Sequence, residues 1–221
     1  MSWGQAPPDL HGPGAEIHLW RADLDAPGWP RRDELPAAER DRAAEFLRPE
    51  PARRWVAARW ALRIALGRYL DEDPTEIELT LSDRGKPRLA APGSLRFNLS
   101  HSEALALIAV CEEREIGVDV ERADPDRDLL GLARTGLEPA EAEAVAGAPP
   151  ARRAEVFYGA WTRREAIAKC FGEGLAGTVV SAPVEVAEID AGPGWAAALA
   201  IAAAGMPPVR RFDLRASPGP R

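Results

Sequence analysis

The order of helix-like and strand-like segments repeats along the chain, and this repetition constrains the fold more than any other feature. Residues 35–70 contain two helical patterns separated by prolines at 49 and 51, and residues 137–172 contain two more, separated by prolines at 149 and 150. Strand-like runs follow each pair: EIELTL and FNLSHSEALALIAV, then VEVAEID and WAAALAIAAA. The pattern indicates two units that each combine helices with strands.

A duplicated unit explains this repeat best, because side chains align as well as segments. Trp60 placed over Trp161 brings Arg63 over Arg164. The alternative is that helices rich in alanine and arginine resemble one another by composition alone. The predicted fold class is α+β with a pseudo-two-fold duplication of two similar halves. We expect the active site at their interface, since clefts between domains are favoured ligand sites.

The chain of 221 residues is long enough for two such halves with a proper core. We predict an N-terminal α+β half at 15–112 and a C-terminal α+β half at 113–214. The leader at 1–14 and the tail at 215–221 are expected to be loose, as chain ends often are.

Composition and charge argue against several classes of protein. The formal net charge of −7 gives no general attraction to nucleic acid or to an anionic membrane, so neither is expected as a partner. Cys111 and Cys170 are far apart, which disfavours a disulfide framework or a thiolate zinc site. No apolar run reaches the roughly 20 residues that span a bilayer. The N-terminus lacks the residue order of a signal peptide, so we expect a cytoplasmic protein.

The segment IGVDVE alternates apolar and other residues, which predicts a half-buried strand. Asp119 and Glu121 are two residues apart and so share one face of that strand. Two carboxylates at this spacing suit Mg²⁺, which commonly shares one or two carboxylates with substrate phosphates. A solvent-facing edge strand is the alternative interpretation.

The segment WTRREAIAK places Trp161, Glu165 and Lys169 on one stripe of a predicted helix. Glu165 could complete a magnesium site of three carboxylates if this stripe faces the strand, and Lys169 could hold a phosphate. An ordinary Glu–Lys pair on a solvated face has the same pattern.

Two further segments offer groups that bind anions. In FNLSHS, a turn after the strand would present Ser100 and His101 to a phosphate, and the Gly-Lys-Pro turn would project Lys86. The alternative is a polar turn with a structural histidine.

A basic helix face is the other candidate for anion binding. Arg54, Arg59 and Arg63 follow helical spacing. They could bind an anionic, adenine-bearing ligand or form a solvated basic face.

Taken together, these motifs resemble those of one enzyme family. FNLSHS, GVDVE and WTRREAIAK, preceded by RGKP, resemble the signature motifs of the 4′-phosphopantetheinyl transferases, in particular the large, monomeric Sfp type. The resemblance runs from about Leu35 to Leu175. It implies a pseudo-dimeric fold of two α+β halves and a monomer in solution.

The resemblance implies a group transfer. Enzymes of this family move the phosphopantetheine arm of coenzyme A onto a serine of an apo acyl or peptidyl carrier protein and release 3′,5′-ADP. The implied cofactor is Mg²⁺, and Mn²⁺ is a second hard ion that would suit the same oxygen ligands. The implied partners are carriers of polyketide, nonribosomal peptide or fatty-acid synthesis.

The resemblance also implies roles for individual residues. The magnesium ligands would be Asp119, Glu121 and Glu165, and either Glu165 or a water on the metal would accept the serine proton. The implied catalytic set is His101, Asp119, Glu165 and Lys169. The implied contacts to coenzyme A come from Arg54, Lys86, Ser100, His101, Arg164 and Lys169.

The chain departs from the family pattern in two places. The helix motif usually reads W-x-x-K-E-A, and Arg164 stands where that lysine would be. Arginine keeps the charge but presents a planar fork, so we expect a phosphate contact to survive. The segment GLARTGLEPAEAEA lacks the aromatic pair usual before its proline, which leaves the preference for carriers open.

Two other functions fit parts of the pattern. A magnesium-dependent phosphohydrolase or nuclease could use the same three carboxylates, although the net charge disfavours a nuclease. A non-catalytic module could bind coenzyme A or a carrier protein. Cleavage of coenzyme A without a carrier would distinguish the first, and binding without turnover the second.

Overall fold

The computed structural model describes residues 3–7, 10–82, 85–172 and 183–216. It divides into a first unit, formed by Met1–Glu113 with Pro207–Arg221, and a second unit, formed by Arg114–Met206. The strands are β1 (Ile17–Asp23), β2 (Leu79–Leu81), β3 (Pro87–Leu89), β4 (Leu95–Ser102), β5 (Leu105–Glu112), β6 (Ile116–Arg122), β7 (Val184–Glu188), β8 (Trp195–Ala202) and β9 (Val209–Leu214). The helices are α1 (Ala37–Ala44), α2 (Pro49–Leu70), α3 (Leu129–Gly136), α4 (Pro139–Gly147) and α5 (Arg153–Phe171).

The first unit is built on a sheet in the order β4-β5-β1-β9. Helix α2 begins at Pro49. Proline is well tolerated at the first helical position, because the N–H that it lacks would have no partner within the helix there. Its apolar stripe packs on alternate side chains of the strands, which share one face of the sheet. This core includes Trp20, Ala58, Leu62, Ile108 and Phe212.

Two described residues of the N-terminal leader contact the first unit. The amide of Asp213 donates to the carbonyl of Gly4 at 2.7 Å, so the leader pairs with the outer side of β9. Leu10 is buried in the core of the first unit. Pairing protects an edge strand whose polar backbone groups would otherwise be exposed. Residues 217–221 of the expected tail lie outside the described residues.

Strand β9 belongs to the first unit, whereas the sequence analysis placed it within 113–214. It pairs in parallel with β1, and Trp20 lies opposite Phe212. This pairing joins segments that are far apart in the chain, so no local sequence pattern predicts it.

The second unit is built on an antiparallel sheet in the order β6-β8-β7, with α5 packed against one face. Small residues permit a close approach of helix and sheet. A Cβ atom at Gly117 would overlap the carbonyl oxygen of Ala166 and the amide nitrogen of Cys170. Ala198 and Ala200 of β8 lie in the same cluster as Ala166 and Cys170. The glycine in GVDVE is therefore required by packing.

The predicted α+β class is confirmed, and the two proline-separated helix pairs are present as α1–α2 and α4–α5. Strand β6 differs from its prediction, since residues Ile116–Val120 are buried on both faces rather than on one. Strand β4 extends to Ser102, so Ser100 and His101 lie on a strand and not in a turn. No helix within the described ranges is long and apolar enough to cross a membrane.

Candidate active site

The second unit brings the motifs GVDVE and WTRREAIAK into direct contact. Asp119 lies on the face of β6 that carries Gly117, which packs against α5. Lys169 of α5 donates from Nζ to Oδ1 of Asp119 at 2.5 Å. Asp119 is only 2% exposed, so its charge is buried and paired. The stripe of WTRREAIAK therefore faces the strand, as one of its two interpretations required.

Glu165 lies one helical turn before Lys169 and is half-buried. Burial is the main cause that raises the pKa of Glu165, because it disfavours the charged carboxylate. The positive charge of Lys169 lowers this pKa, the negative charge of Asp119 raises it, and the positive charge of Arg164 lowers it.

The carboxylates at this place suit a hard divalent ion by their chemistry. Glu121 is half-buried and shares the strand face of Asp119. No set of three metal-binding side chains in the described ranges is arranged as a ready-made cage. Mg²⁺ does not need one, because it keeps several waters and often takes one or two carboxylates together with phosphates. The donor set therefore fits magnesium shared with a phosphorylated substrate.

Arg164 has carboxylate partners within the second unit. Its Nη1 donates to Oε1 of Glu138 at 2.9 Å and lies 3.6 Å from Oε2 of Glu141. Glu138 is the N-cap of α4, and Glu141 accepts a hydrogen bond from the backbone N–H of Glu138. The side chain of Arg164 is 20% exposed. A phosphate contact, as expected from the sequence, would have to compete with these two glutamates.

The first unit contains a cleft of about 720 Å³ that includes two predicted site residues. Arg54 of α2 and His101 of β4 both line it. Sequence reasoning missed its other lining residues, which are Phe46, Arg48, Pro49, Glu50, Pro51 and Glu103. The spacing of Arg48 and Arg54 around the helix start was the available signal for a basic pocket.

Ser100 and Lys86 lie elsewhere. Ser100 and His101 are neighbours on a strand, so their side chains point to opposite faces of the sheet. Ser100 is 5% exposed, and Lys86, in the β2–β3 hairpin, is 8% exposed. Among the described residues, neither lines the cleft that holds His101. Their contacts to coenzyme A stay predictions, and Arg84 of the RGKP motif lies outside the described residues.

The basic face predicted on α2 is divided. Arg59 and Arg63 are buried, and both pair with Glu39 of α1. Arg63 also donates from Nη1 to the carbonyl oxygens of Pro74 and Ile77. These two arginines do not form a solvated face, and Arg54 is the one of the three that lines the cleft.

The second unit has another cleft, of about 540 Å³, lined in part by Tyr158, Arg163, Glu188 and Trp195. It includes none of the predicted site residues. On α5, Glu165 and Lys169 lie on a different stripe of the helix from Arg163, which lines this cleft.

Comparison with known proteins now decides the family. A family model described as the 4′-phosphopantetheinyl transferase superfamily matches residues 115–207. The 4′-phosphopantetheinyl transferase HetI of Nostoc sp. is 38% identical over 204 residues, which cover 88% of this chain and 86% of HetI. The chain belongs to the 4′-phosphopantetheinyl transferase superfamily.

Two further relatives show lower identity to this chain. The 4′-phosphopantetheinyl transferase AcpT of Escherichia coli K12 is 33% identical, over 66% of this chain and 70% of AcpT. A 4′-phosphopantetheinyl transferase of Bacillus subtilis is 28% identical, over 63% of this chain and 61% of that protein. Membership makes the chain an enzyme of the phosphopantetheinyl transferase class.

Proposed function

We propose that the chain is an Sfp-type transferase that moves 4′-phosphopantetheine from coenzyme A to a serine of an apo acyl or peptidyl carrier protein. The observation that supports this most directly is the contact between Asp119 and Lys169 at 2.5 Å. It joins two family motifs that are 50 residues apart in the chain. The metal is proposed to be Mg²⁺, and the carriers those of polyketide, nonribosomal peptide or fatty-acid synthesis.

The reaction is a substitution at phosphorus. The serine oxygen forms a bond to the phosphorus that carries pantetheine, and the bond from that phosphorus to the bridging oxygen breaks. The serine proton is released, and 3′,5′-ADP leaves with the bridging oxygen. Both phosphates are anionic, so the transition state is stabilised by positively charged groups near their oxygens. The attacking serine oxygen must also be aligned with the bond that breaks.

The second unit supplies groups for this chemistry. Asp119, Glu121 and Glu165 are proposed to hold Mg²⁺, which when bound neutralises charge on the pyrophosphate. Lys169 would exchange its contact with Asp119 for one with a phosphate oxygen. The raised pKa of Glu165 also suits it to accept the serine proton, and it cannot serve as base and as tight metal ligand at once.

The first unit supplies groups for coenzyme A. Arg54 and His101 are proposed to contact its anionic and adenine-bearing portion, because both line one cleft. Phe46 gives that cleft an aromatic wall, on which an adenine ring could pack.

We also infer that the two units arose by a pseudo-two-fold duplication, because each contains a corresponding glutamate–arginine contact. Glu39 and Glu141 are each the third residue of a short helix. Glu39 pairs with Arg63 of α2, and Glu141 approaches Arg164 of α5, the arginine aligned with Arg63 by the repeat. Composition alone does not produce corresponding ion pairs. A monomer is the proposed state of a chain that already contains both halves.

The test is the intact mass of an apo carrier protein after incubation with this enzyme, coenzyme A and Mg²⁺. We expect a gain of one phosphopantetheine, which EDTA abolishes and which Asp119→Asn reduces by about 10³-fold, in the range seen when a charge-stabilising group is removed. Asp190→Asn, at an exposed aspartate of the same unit, is the matched control and is expected to retain activity. An unmodified carrier with coenzyme A cleaved would identify a phosphohydrolase instead.

A further inference from the structure

Arg54, at the cleft of the first unit, is held by two carboxylates in different ways. Asp25 accepts hydrogen bonds from Nε at 2.9 Å and from Nη2 at 2.7 Å, which is a bidentate pair. Glu50, one helical turn before Arg54, makes a single contact of 2.8 Å to Nη2. The bidentate geometry fixes the plane of the guanidinium, while a single contact does not.

The two carboxylates also differ in position. Glu50 lines the cleft and its side chain is 64% exposed, whereas Asp25 does not line the cleft and its side chain is 36% exposed. Asp25 is itself held by Arg53, whose Nη2 donates to it at 2.7 Å and whose Nη1 donates to the carbonyl of Leu24. Its hydrogen bonds with Arg54 hold the pKa of Asp25 well below its usual range, so it stays charged at working pH.

The remaining nitrogen of Arg54 determines what this arrangement can do. Nε and Nη2 carry the hydrogen bonds of Arg54 to Asp25, and no hydrogen bond from Nη1 is found among the described residues. Nη1 is therefore a donor that can turn to a ligand in the cleft. The hydrogen bond to Asp25 raises the pKa of Arg54, and the charges of its two carboxylate partners and of Glu103, which also lines the cleft, raise it further. Arg48 and His101 line the same cleft and add further donors.

We propose that Asp25 is a positioning residue that aims Arg54 at an anionic group of coenzyme A, and that Glu50 competes with that group for the same arginine. The proposal rests on the proposed function, since it takes coenzyme A as the ligand of this cleft. A phosphate that binds Nη1 and also reaches Nη2 replaces the exposed contact of Glu50 with Nη2 and leaves the contact with Asp25 in place.

A positioning role and a purely electrostatic role predict opposite changes in the affinity for coenzyme A when Asp25 is neutralised. Asp25 and Glu50 are both negative, so loss of either charge would strengthen the binding of an anion if long-range charge alone mattered. A positioning role gives Asp25→Asn the opposite effect. The side-chain amide of asparagine places an N–H donor against an N–H donor of the guanidinium, so the bidentate pair is lost. The guanidinium of Arg54 is then no longer held in its orientation toward the cleft.

The test is isothermal titration of the full-length enzyme with coenzyme A. We expect Asp25→Asn to raise the Kd for coenzyme A about tenfold, the scale of one lost charged hydrogen bond. We expect Glu50→Gln to lower the Kd by about threefold, the scale of an exposed ion pair. The KM for coenzyme A should follow the Kd, while kcat at saturating coenzyme A stays within about twofold of wild type.

Controls separate positioning from folding. Asp213→Asn removes the same charge from another arginine–aspartate pair of the first unit, with Arg21 at 2.8 Å, and should leave the Kd unchanged. Asp25→Glu keeps a carboxylate and should restore part of the affinity. In an Arg54→Lys background, Asp25→Asn should have no further effect, because the fork it orients is gone.

The outcomes decide between the proposals. If Asp25→Asn binds coenzyme A as tightly as wild type or more tightly, the positioning role is wrong although the transferase function stands. The same conclusion follows if Asp25→Asn lowers kcat and leaves the Kd unchanged. If wild type neither binds coenzyme A nor modifies a carrier, the proposed function itself fails.

Discussion

Arg63 of the first unit and Arg164 of the second occupy corresponding positions of the repeat, yet their surroundings are opposite. In the first unit two arginines, Arg59 and Arg63, share Glu39. In the second unit Arg164 has two carboxylates, Glu138 and Glu141. The first cluster carries one excess positive charge and the second one excess negative charge.

Hydrogen bonds to carbonyl oxygens compensate the excess charge of the first cluster, which burial disfavours. Arg63 is 2% exposed, and two carbonyl oxygens accept its remaining hydrogen bonds. Burial lowers the pKa of Arg59, against the charge of Glu39, which raises it. Arg164 is more exposed, with 20% of its side chain accessible. The next residue of α5, Glu165, is one of the candidate metal ligands. The arginine–glutamate contact is buried within the first unit, whereas the corresponding contact of the second unit lies next to the candidate metal site.

The largest difference between the units is expected at the two glutamates. Glu39→Gln leaves two buried arginines without a negative partner, and loss of one partner from a buried pair costs about 3–5 kcal/mol of unfolding free energy. Glu141→Gln removes a half-exposed contact and should cost under about 1 kcal/mol. Urea unfolding of both variants measures this. Equal effects would contradict the contrast in burial.

A smaller difference is expected at the arginines themselves. Arg63→Lys loses the fork that reaches Glu39 and two carbonyl groups, so we expect a loss of about 2 kcal/mol. Arg164→Lys restores the family residue and should change stability by less than about 0.5 kcal/mol. Thermal and urea unfolding measure both. If Arg164→Lys also raises the KM for coenzyme A severalfold, Arg164 contacts a phosphate after all.

Acid sensitivity should separate the units as well, since all three histidines lie in the first. Burial, aided by the charge of Arg210 and opposed by Glu16, lowers the pKa of His18 to about 4. Nδ1 of His18 lies 3.0 Å from the hydroxyl of Tyr69. Folding therefore favours neutral His18, and its contribution is complete above the unfolded pKa of about 6.5 and declines as pH falls toward 4.

Between about pH 7.5 and about pH 5.5 this linkage should lower the unfolding free energy by about 1 kcal/mol. Unfolding in urea at both pH values, compared with His18→Gln, isolates the contribution. An identical pH dependence in the variant would show that His18 does not carry it.

Local pattern predicted much of the candidate site. The spacing of Asp119 and Glu121 placed both on one strand face, and one of two interpretations had the stripe of Glu165 and Lys169 face that strand. The contact of Lys169 with Asp119 favours that interpretation. Such facing can be predicted because it depends only on the period of one helix and one strand, whereas the roles of these residues stay predictions.

Long-range pairing could not be predicted in the same way. Two contacts join segments that no periodicity relates. They are the parallel pairing of β1 with β9 and the hydrogen bond that Arg54 donates to Asp25. Burial of Arg59 and Arg63 was also missed, because helical spacing gives the face on which a residue lies and not what covers it. Ser100 and His101 were grouped because a turn was expected where the strand continues.

The most direct test of the account is the stoichiometry of 3′,5′-ADP and modified carrier in one reaction, measured by chromatography and intact mass. We expect one 3′,5′-ADP for each phosphopantetheinylated serine, and formation of both products slowed about 10³-fold when Asp119 is replaced by asparagine. Release of 3′,5′-ADP in excess over modified carrier, or in the absence of any carrier, would contradict it and show that water is the acceptor.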